Sequence, residues 1–311
     1  MSKLDIIIVN YNSTAYLLKC LRSIYTSLDK DIAAKVYVVD NASKDNVNVL
    51  QQKFPQVILS KNKTNIGFAK AVNHSISKTS APYILLLNPD TLVDKNFFKS
   101  MLDFMKNNPD VGIAGPKILE KNGMVQGSAR SFPTPMTALY GRNTVITKIF
   151  PNNRMTSKNI LTSRHNGEKK MAVDWVSGAC MVVRRSAVKD VGMMDEKFFL
   201  YWEDADWCKR MSAKGWKVIY YPHASVVHYA GVCSNKKIRP LLEFHKSAYY
   251  FFCKNSGTNG LSIVKGLVFG ALLLRFYVVL ILNSIYGLKK NKTDFSSECQ
   301  SSECQGDLFY N

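Results

Sequence analysis

The stretch LDIIIVNYNSTAYLLKCLRSIYTSL, residues 4 to 28, decides how the chain folds. Residues 4 to 9 form an apolar, isoleucine-rich run that stops at Asn10-Tyr11-Asn12. Ser13 follows, and after it Leu17, Leu18, Leu21, Ile24 and Leu28 recur at helical spacing. An apolar run, a polar break and a 3.6-residue stripe predict strand, loop and helix. The pattern returns downstream. Residues 35 to 39 are rich in β-branched side chains and end at Asp40-Asn41-Ala42-Ser43, residues 57 to 59 form a shorter run, and residues 83 to 87 end at Asn88-Pro89-Asp90. Helical stretches fall at residues 68 to 78 and 95 to 106. Strands alternating with helices predict βαβ units, hence an α/β fold on a mostly parallel sheet. In open sheets of this kind ligands bind beyond the carboxyl ends of the strands. Three polar clusters stand there, so three separate segments are expected to converge on one edge.

The 311 residues are 46% hydrophobic and 21% charged, which excludes disorder over most of the length. Lysine and arginine number 42 against 23 acids, a formal net charge of +19. Such a chain favours an anionic partner: nucleic acid, an anionic membrane or a phosphorylated substrate. No G-x-G-x-x-G follows a strand and no G-x-x-x-x-G-K-[ST] occurs, so a bound nucleotide needs another means of neutralising its phosphates. No helix-turn-helix, zinc finger or RNP-type strand is recognisable either, and a basic groove would not hold Glu203, Asp204 and Asp206 at its centre, so no nucleic-acid partner is expected. The seven cysteines lack a C-x-x-C pair and read as reduced thiols, with Cys20, Cys180, Cys208, Cys233 and Cys253 expected as small core residues. The apolar run near the start is too short for a signal peptide, which predicts a cytosolic start.

Residues 142 to 170 carry seven basic residues against the single acid Glu168 and read as a long mobile loop. Order returns with Trp175-Val176-Ser177-Gly178-Ala179, a strand at 180 to 183, an acidic helix from about Glu203, a strand at 217 to 220 and another ending at His228. In YWEDADWCKR, residues 201 to 210, Glu203, Asp204 and Asp206 crowd one helical turn, which costs Coulomb energy unless something uses it. The positive end of the helix dipole accounts for acids at a first turn. It does not account for Phe198-Phe199-Leu200-Tyr201-Trp202, which sets the acids in apolar surroundings where desolvation raises a carboxylate toward a working base. Glu203 and Asp206 share a face, while Asp204 points roughly 100° away from Glu203. Asp90, behind Pro89 at a strand end, reads either as a turn residue or as a ligand for a divalent cation. With His228 and a diphosphate it would suit Mn²⁺ or Mg²⁺.

Six ordered motifs then give a resemblance: IIIVNYNS at 6 to 13, VVDNASKD at 38 to 45, NIGFAKAVN at 65 to 73, LLLNPDT at 85 to 91, WVSGACMVVRR at 175 to 185 and DEKFFLYWEDADWCKR at 195 to 210. The sequence resembles the inverting family 2 glycosyltransferases of the GT-A fold, most closely rhamnosyltransferase-like enzymes of bacterial surface polysaccharide synthesis such as O-antigen or capsule. The resemblance implies that Asp40, with Asn10, Tyr11, Asn12 and Asn41 around it, contacts the nucleoside of a nucleoside-diphosphate sugar, dTDP-rhamnose or a UDP-sugar. Asn65, Gly67, Lys70 and Asn88 join that donor site. It further implies that Asp90 binds the metal together with His228, and that Asp204 is the general base, flanked by Glu203 and Asp206. The simplest D-x-D pattern is broken here, because Asn88 replaces its first acid.

Residues 266 to 288 are mostly apolar, interrupted by Arg275 and followed by Lys289, Lys290 and Lys292. The length suffices to cross a bilayer, yet the central arginine and basic flanks predict a helix or helical hairpin lying in the cytoplasmic leaflet. Packing on the catalytic domain or on a second copy in a homodimer is the alternative. The expected organisation is a catalytic domain at 1 to 235, split into a nucleotide-sugar half at 1 to 120 and an acceptor half at 121 to 235. A helical membrane-associating segment at 236 to 290 and a disordered tail at 291 to 311, containing SSECQSSECQ, complete it. A peripheral place on the inner face of the membrane suits a glycan or polyprenyl-diphosphate-linked acceptor.

Overall fold

The computed structural model describes residues 3–132, 160–162, 167–229, 238–256 and 262–297. Most of the basic stretch at 142 to 170, Cys233 and the SSECQ repeat beyond Ser297 lie outside the described residues. Two compact units divide the chain, Met1–Asn235 and Lys236–Asn311.

In the first unit, β1 (Leu4–Asn10) leads into α1 (Thr14–Ser27), and β2 (Ala34–Asp40) into the short α2 (Val49–Lys53) and β3 (Ile58–Lys61). After α3 (Phe68–Ile76) come β4 (Tyr83–Leu87), β5 (Thr91–Val93), α4 (Phe97–Asn107) and β6 (Val111–Leu119). The second half holds β7 (Ala129–Arg130), β8 (Met171–Ala172), β9 (Trp175–Val176), β10 (Cys180–Arg184), α5 (Arg185–Val191), α6 (Glu203–Ala213) and β11 (Lys217–His228). Among the described residues the main sheet runs β3-β2-β1-β4-β10-β6-β11-β5, with β8 attached to β11. β1 lies parallel to both β2 and β4, and β6 parallel to β11, whereas β10 runs antiparallel to β4 and β6. The sheet is therefore mixed, with β3-β2-β1-β4 as a parallel half and β10 running antiparallel beside it.

Both faces of this sheet are covered, which is why its strands read as unbroken apolar runs. Leu4, Ile6 and Ile8 face one core with Leu17, Leu21 and Ile24 of α1; Ile7 faces the other with Ala69, Val72 and Ile76 of α3. The two strands expected at 217 to 228 are one strand, β11, whose pairing with β6 shifts register between Tyr221 and Ser225. Pro222 lies inside that interval and has no N–H for the ladder, so the sequence shows a break where the backbone only bulges. Cys20, Cys180 and Cys208 are buried and free as expected, while Cys253 is only half-buried.

The second unit contains α7 (Ile238–Asn255) and α8 (Ser262–Ser297). α8 continues past residue 290, where the sequence reading ends the helical segment. Its window Ile263–Leu282 has a mean hydropathy of 2.1 and is not buried, so it is long and apolar enough to cross a membrane. Ile263, Leu267, Leu274 and Ile281 are exposed along it. Arg275 lies over the ring of Phe244 on α7, 5.3 Å from its centroid, which keeps the charge in the middle of this stretch against an aromatic face.

Candidate active site

The parallel half of the sheet places the ends of β2, β1 and β4 side by side. Asn10, buried at the end of β1, donates from Nδ2 to Asp40 Oδ1 at 2.9 Å and to Ser43 Oγ at 3.1 Å. Asp40 Oδ2 in turn accepts the Ser43 N–H. Asn12 adopts φ +53°, and its Oδ1 accepts the Lys44 N–H at 2.7 Å while its own N–H reaches Ser43 Oγ. Asp45 caps α1 by accepting the Thr14 N–H. The loops after β1 and β2 are thus laced together.

Asn41 does the same for the loop before α3. Its Nδ2 donates to Asn65 Oδ1 and the Gly67 carbonyl, and its Oδ1 accepts from Asn62 Nδ2 and the Ile66 N–H. Gly67 has φ +88°, and a Cβ there would stand 2.7 Å from the Phe199 carbonyl oxygen, so the position requires glycine. Beside these loops opens a cavity of about 460 Å³ lined by Asp40, Ala42, Ser43, Asp45, Lys61 and Lys63 among others. That volume falls in the range of small-molecule sites. Tyr11 and Lys70 are exposed, while Asn10 and Asn41 are buried and use their amides on neighbouring loops.

At the end of β4, the Asn88 N–H donates to the Ala179 carbonyl, and Asp90 is buried behind Pro89. β5 begins at the next residue and pairs antiparallel with β11 so that Thr91 faces His228. This register brings His228 Nε2 to 3.3 Å from Asp90 Oδ1 and 3.5 Å from Asn88 Nδ2. Among the described residues no group of three or more His, Cys, Asp or Glu side chains converges, so the Asp90–His228 pair offers two protein ligands. Two ligands fit a hard divalent cation that takes its remaining oxygens from phosphates and water.

The acids of α6 separate in role. Asp204 is held by two N–H groups: Gly178 donates to Oδ2 at 2.9 Å and Ala205 to Oδ1 at 2.8 Å. Burial pushes its pKa up, while these bonds and the nearby Arg130 guanidinium pull it back. Glu203 is buried, with Oε2 lacking a hydrogen-bond partner among the described residues. Burial first, and the adjacent Asp204 second, hold its pKa well above the usual carboxylate range. Asp206 is paired with Arg210 Nε at 2.8 Å, and Arg210 also donates to the Met193 carbonyl, tying α6 to the end of α5. The structure thus places Asp206 in a packing ion pair and leaves Asp204 as the half-exposed acid. Just before them, Tyr201 and Trp202 both adopt left-handed backbone, φ +70° and +71°. For residues with a Cβ this costs about 1–2 kcal/mol each, and such strain clusters at functional sites.

Ser177-Gly178-Ala179 joins the two groups. Gly178 donates to Asp204 and Ala179 accepts from Asn88, so the acid of α6 and the β4 end share one short segment. On the other side, the Phe68 N–H donates to the Phe199 carbonyl, which ties the approach to α6 to the Asn41 loop. Three residues here escape the sequence reading: Gly178, Arg130 and Gln126. Gly178 sits in a quoted motif, but nothing in WVSGACMVVRR says that its N–H faces a carboxylate. Arg130, 5.0 Å from the Trp175 ring centroid, sits on the two-residue strand β7 and Gln126 in the loop before it, and only the fold reveals their neighbours.

This sheet order, with polar loops gathered over the β1–β2–β4 edge, defines a GT-A fold. Among solved structures the mannosyltransferase PcManGT from Pyrobaculum calidifontis, in complex with GDP-Man and Mn²⁺, superposes with a TM-score of 0.56 at 14% identity, over 95% of this chain and 83% of that one. GalNAc-T7 with UDP, GalNAc and Mn²⁺ gives 0.55 at 12% identity over 83% of this chain, which spans 52% of that longer structure. Sequence takes the assignment further: residues 3–239 match glycosyltransferase-like family 2, and the chain belongs to that family. It is 29% identical over 268 residues to the N-acetylglucosaminyl-diphospho-decaprenol L-rhamnosyltransferase of Mycobacterium tuberculosis, covering 82% of this chain and 85% of the relative. To the dTDP-rhamnosyl transferase RfbF of Shigella flexneri it is 28% identical, over 74% of this chain and 70% of the relative.

Proposed function

We propose that the protein is an inverting glycosyltransferase that moves a sugar, rhamnose, from a nucleoside diphosphate to a hydroxyl of a lipid-linked glycan. The observation that carries this is Asp204: a carboxylate at a helix start, oriented by two N–H donors and raised in basicity by burial. In one displacement, Asp204 takes the proton of the acceptor hydroxyl as that oxygen forms a bond to the anomeric carbon. The nucleoside diphosphate leaves from the opposite face with the bonding electron pair, so configuration inverts. The loops locked by Asn10, Asn12 and Asn41 hold the nucleoside beside Asp40. Asp90 and His228 would hold Mn²⁺ or Mg²⁺, which supplies charge stabilisation at the departing diphosphate. Rhamnose is favoured by kinship to both rhamnosyltransferases, and a polyprenyl-diphosphate acceptor by kinship to the Mycobacterium tuberculosis relative, whose name carries one.

The test is release of dTDP from dTDP-rhamnose in the presence of an N-acetylglucosaminyl-diphospho-polyprenol acceptor, with the anomeric configuration of the product read by NMR. Acceptor-dependent release with inversion is expected; a product of retained configuration, or no release from any nucleotide sugar, would sink the proposal. The exposed apolar face of α8 supports a peripheral place on the cytoplasmic membrane surface. Deleting residues 261 to 311 is then expected to move the protein from the membrane to the soluble fraction, and an unchanged distribution would contradict it.

A further inference from the structure

Gln126 is buried in the loop after β6, and neither the motifs nor the chemistry above uses it. Its backbone is pinned, the N–H donating to the Ile118 carbonyl and the carbonyl accepting from Ser128. Its side chain meets His228 twice: Nε2 donates to the His228 carbonyl at 3.2 Å, and Oε1 lies 3.1 Å from the imidazole Nδ1. These two contacts fix the proton. A backbone carbonyl only accepts, so the group facing it is the amide NH₂. What remains toward Nδ1 is the amide oxygen, which also only accepts, and Nδ1 therefore carries hydrogen. A neutral imidazole has one N–H, so Nε2 presents its lone pair.

That lone pair faces Asp90 Oδ1 across 3.3 Å. Two acceptors at this separation repel unless a positive group lies between them. Adjacent ligands of an octahedral ion, each about 2.1 Å from it, stand about 3 Å apart. We propose that Gln126 is a positioning residue of the cation site: it locks His228 in the Nδ1–H tautomer and aims Nε2 at the point that Asp90 also addresses. This rests on the metal role proposed above for Asp90 and His228 and adds the residue that prepares it. The arrangement also bears on Asn88. Where a second aspartate would contribute charge, the neutral amide contributes none, and a pre-set imidazole takes up part of the ligation. Outer residues that orient a ligating histidine typically contribute 10–100-fold in metal affinity.

Two readouts test it. In ¹⁵N-histidine-labelled wild-type protein at pH 8 without metal, His228, assigned by loss of its signal in His228→Ala, is expected as a single Nδ1–H tautomer. Mn²⁺ titrated in the presence of dTDP, UDP or GDP is expected to bind Gln126→Leu 10–100-fold more weakly than wild type. Gln126→Glu keeps an acceptor for Nδ1–H and is expected to keep both the tautomer and affinity within a few-fold. The signals of the other histidines report that each variant is folded, and should Gln126→Leu not fold, the wild-type tautomer and Gln126→Glu decide. An Nε2–H tautomer in wild type, or equal Mn²⁺ affinity in wild type and Gln126→Leu, would overturn the role of Gln126 while leaving the metal site standing. No Mn²⁺ binding by wild type with any of the three nucleotides would overturn the metal site, and the proposal with it.

Discussion

Around the ends of β1 and β2, amides and hydroxyls bond one another across loops: Asn10 Nδ2 with Asp40 and Ser43, Asn12 with Lys44, Asn41 with Asn62, Asn65 and Gly67, with Asn10 Oδ1 lacking a hydrogen-bond partner among the described residues. Around the start of α6 the difference lies in the carboxyls. Two consecutive carboxyls have raised pKa values, one Glu203 oxygen lacks a hydrogen-bond partner among the described residues, and two aromatic residues hold left-handed backbone. A cross-bonded network of amides makes a rigid surface for a ligand that must be held, whereas desolvation keeps a proton acceptor basic. The contrast predicts that binding and turnover can be damaged separately.

The largest effect is expected from Asp204→Asn, which removes the proposed proton acceptor but keeps the shape: kcat should fall about 10²-fold or more with nucleotide affinity unchanged. Parallel loss of affinity in calorimetry would break the division between the two halves. Arg130 sharpens the same point. Its charge opposes the upward shift of Asp204, so Arg130→Met is expected to raise that pKa further. Because the base works ionised, the acidic limb of the kcat/KM profile should move to higher pH in the variant; an unmoved limb would detach Arg130 from the base.

On the other side, Asn41→Ala leaves several loop groups without partners. It is expected to destabilise the fold by about 1–3 kcal/mol in urea and to weaken nucleotide binding, with kcat at saturating donor less affected. The smallest effect concerns Glu203→Gln. A carboxyl whose folded pKa is raised contributes stability below its unfolded pKa and loses it as pH rises toward the folded value. Glu203→Gln should therefore melt at a higher temperature than wild type at pH 8, the gap closing toward pH 4; a lower melting temperature at pH 8 would mean that the ionised acid has a partner.

Much of the β1–β2–β4 edge was legible in the sequence, because strand ends are local: β4 is found at the residues its apolar run predicts, and the polar clusters after β1, β2 and β4 do gather on one edge. α6 starts at Glu203 as its acidic first turn indicates. What the sequence hides is partnership across long separations. Spacing put Glu203 and Asp206 on one face, yet Asp206 pairs with Arg210 and not with the other acids. His228 meets Asp90 only through the β5–β11 register, and its contact with Gln126 joins residues about a hundred positions apart, where no local pattern reaches.

The most direct test of the central claim is calorimetric titration of the purified protein with dTDP, UDP and GDP, each with and without Mn²⁺. Micromolar binding of one nucleotide that strengthens with the metal is predicted for a nucleotide-sugar transferase whose donor loops are pre-formed. Folded protein that binds none of the three, with or without Mn²⁺, would contradict it.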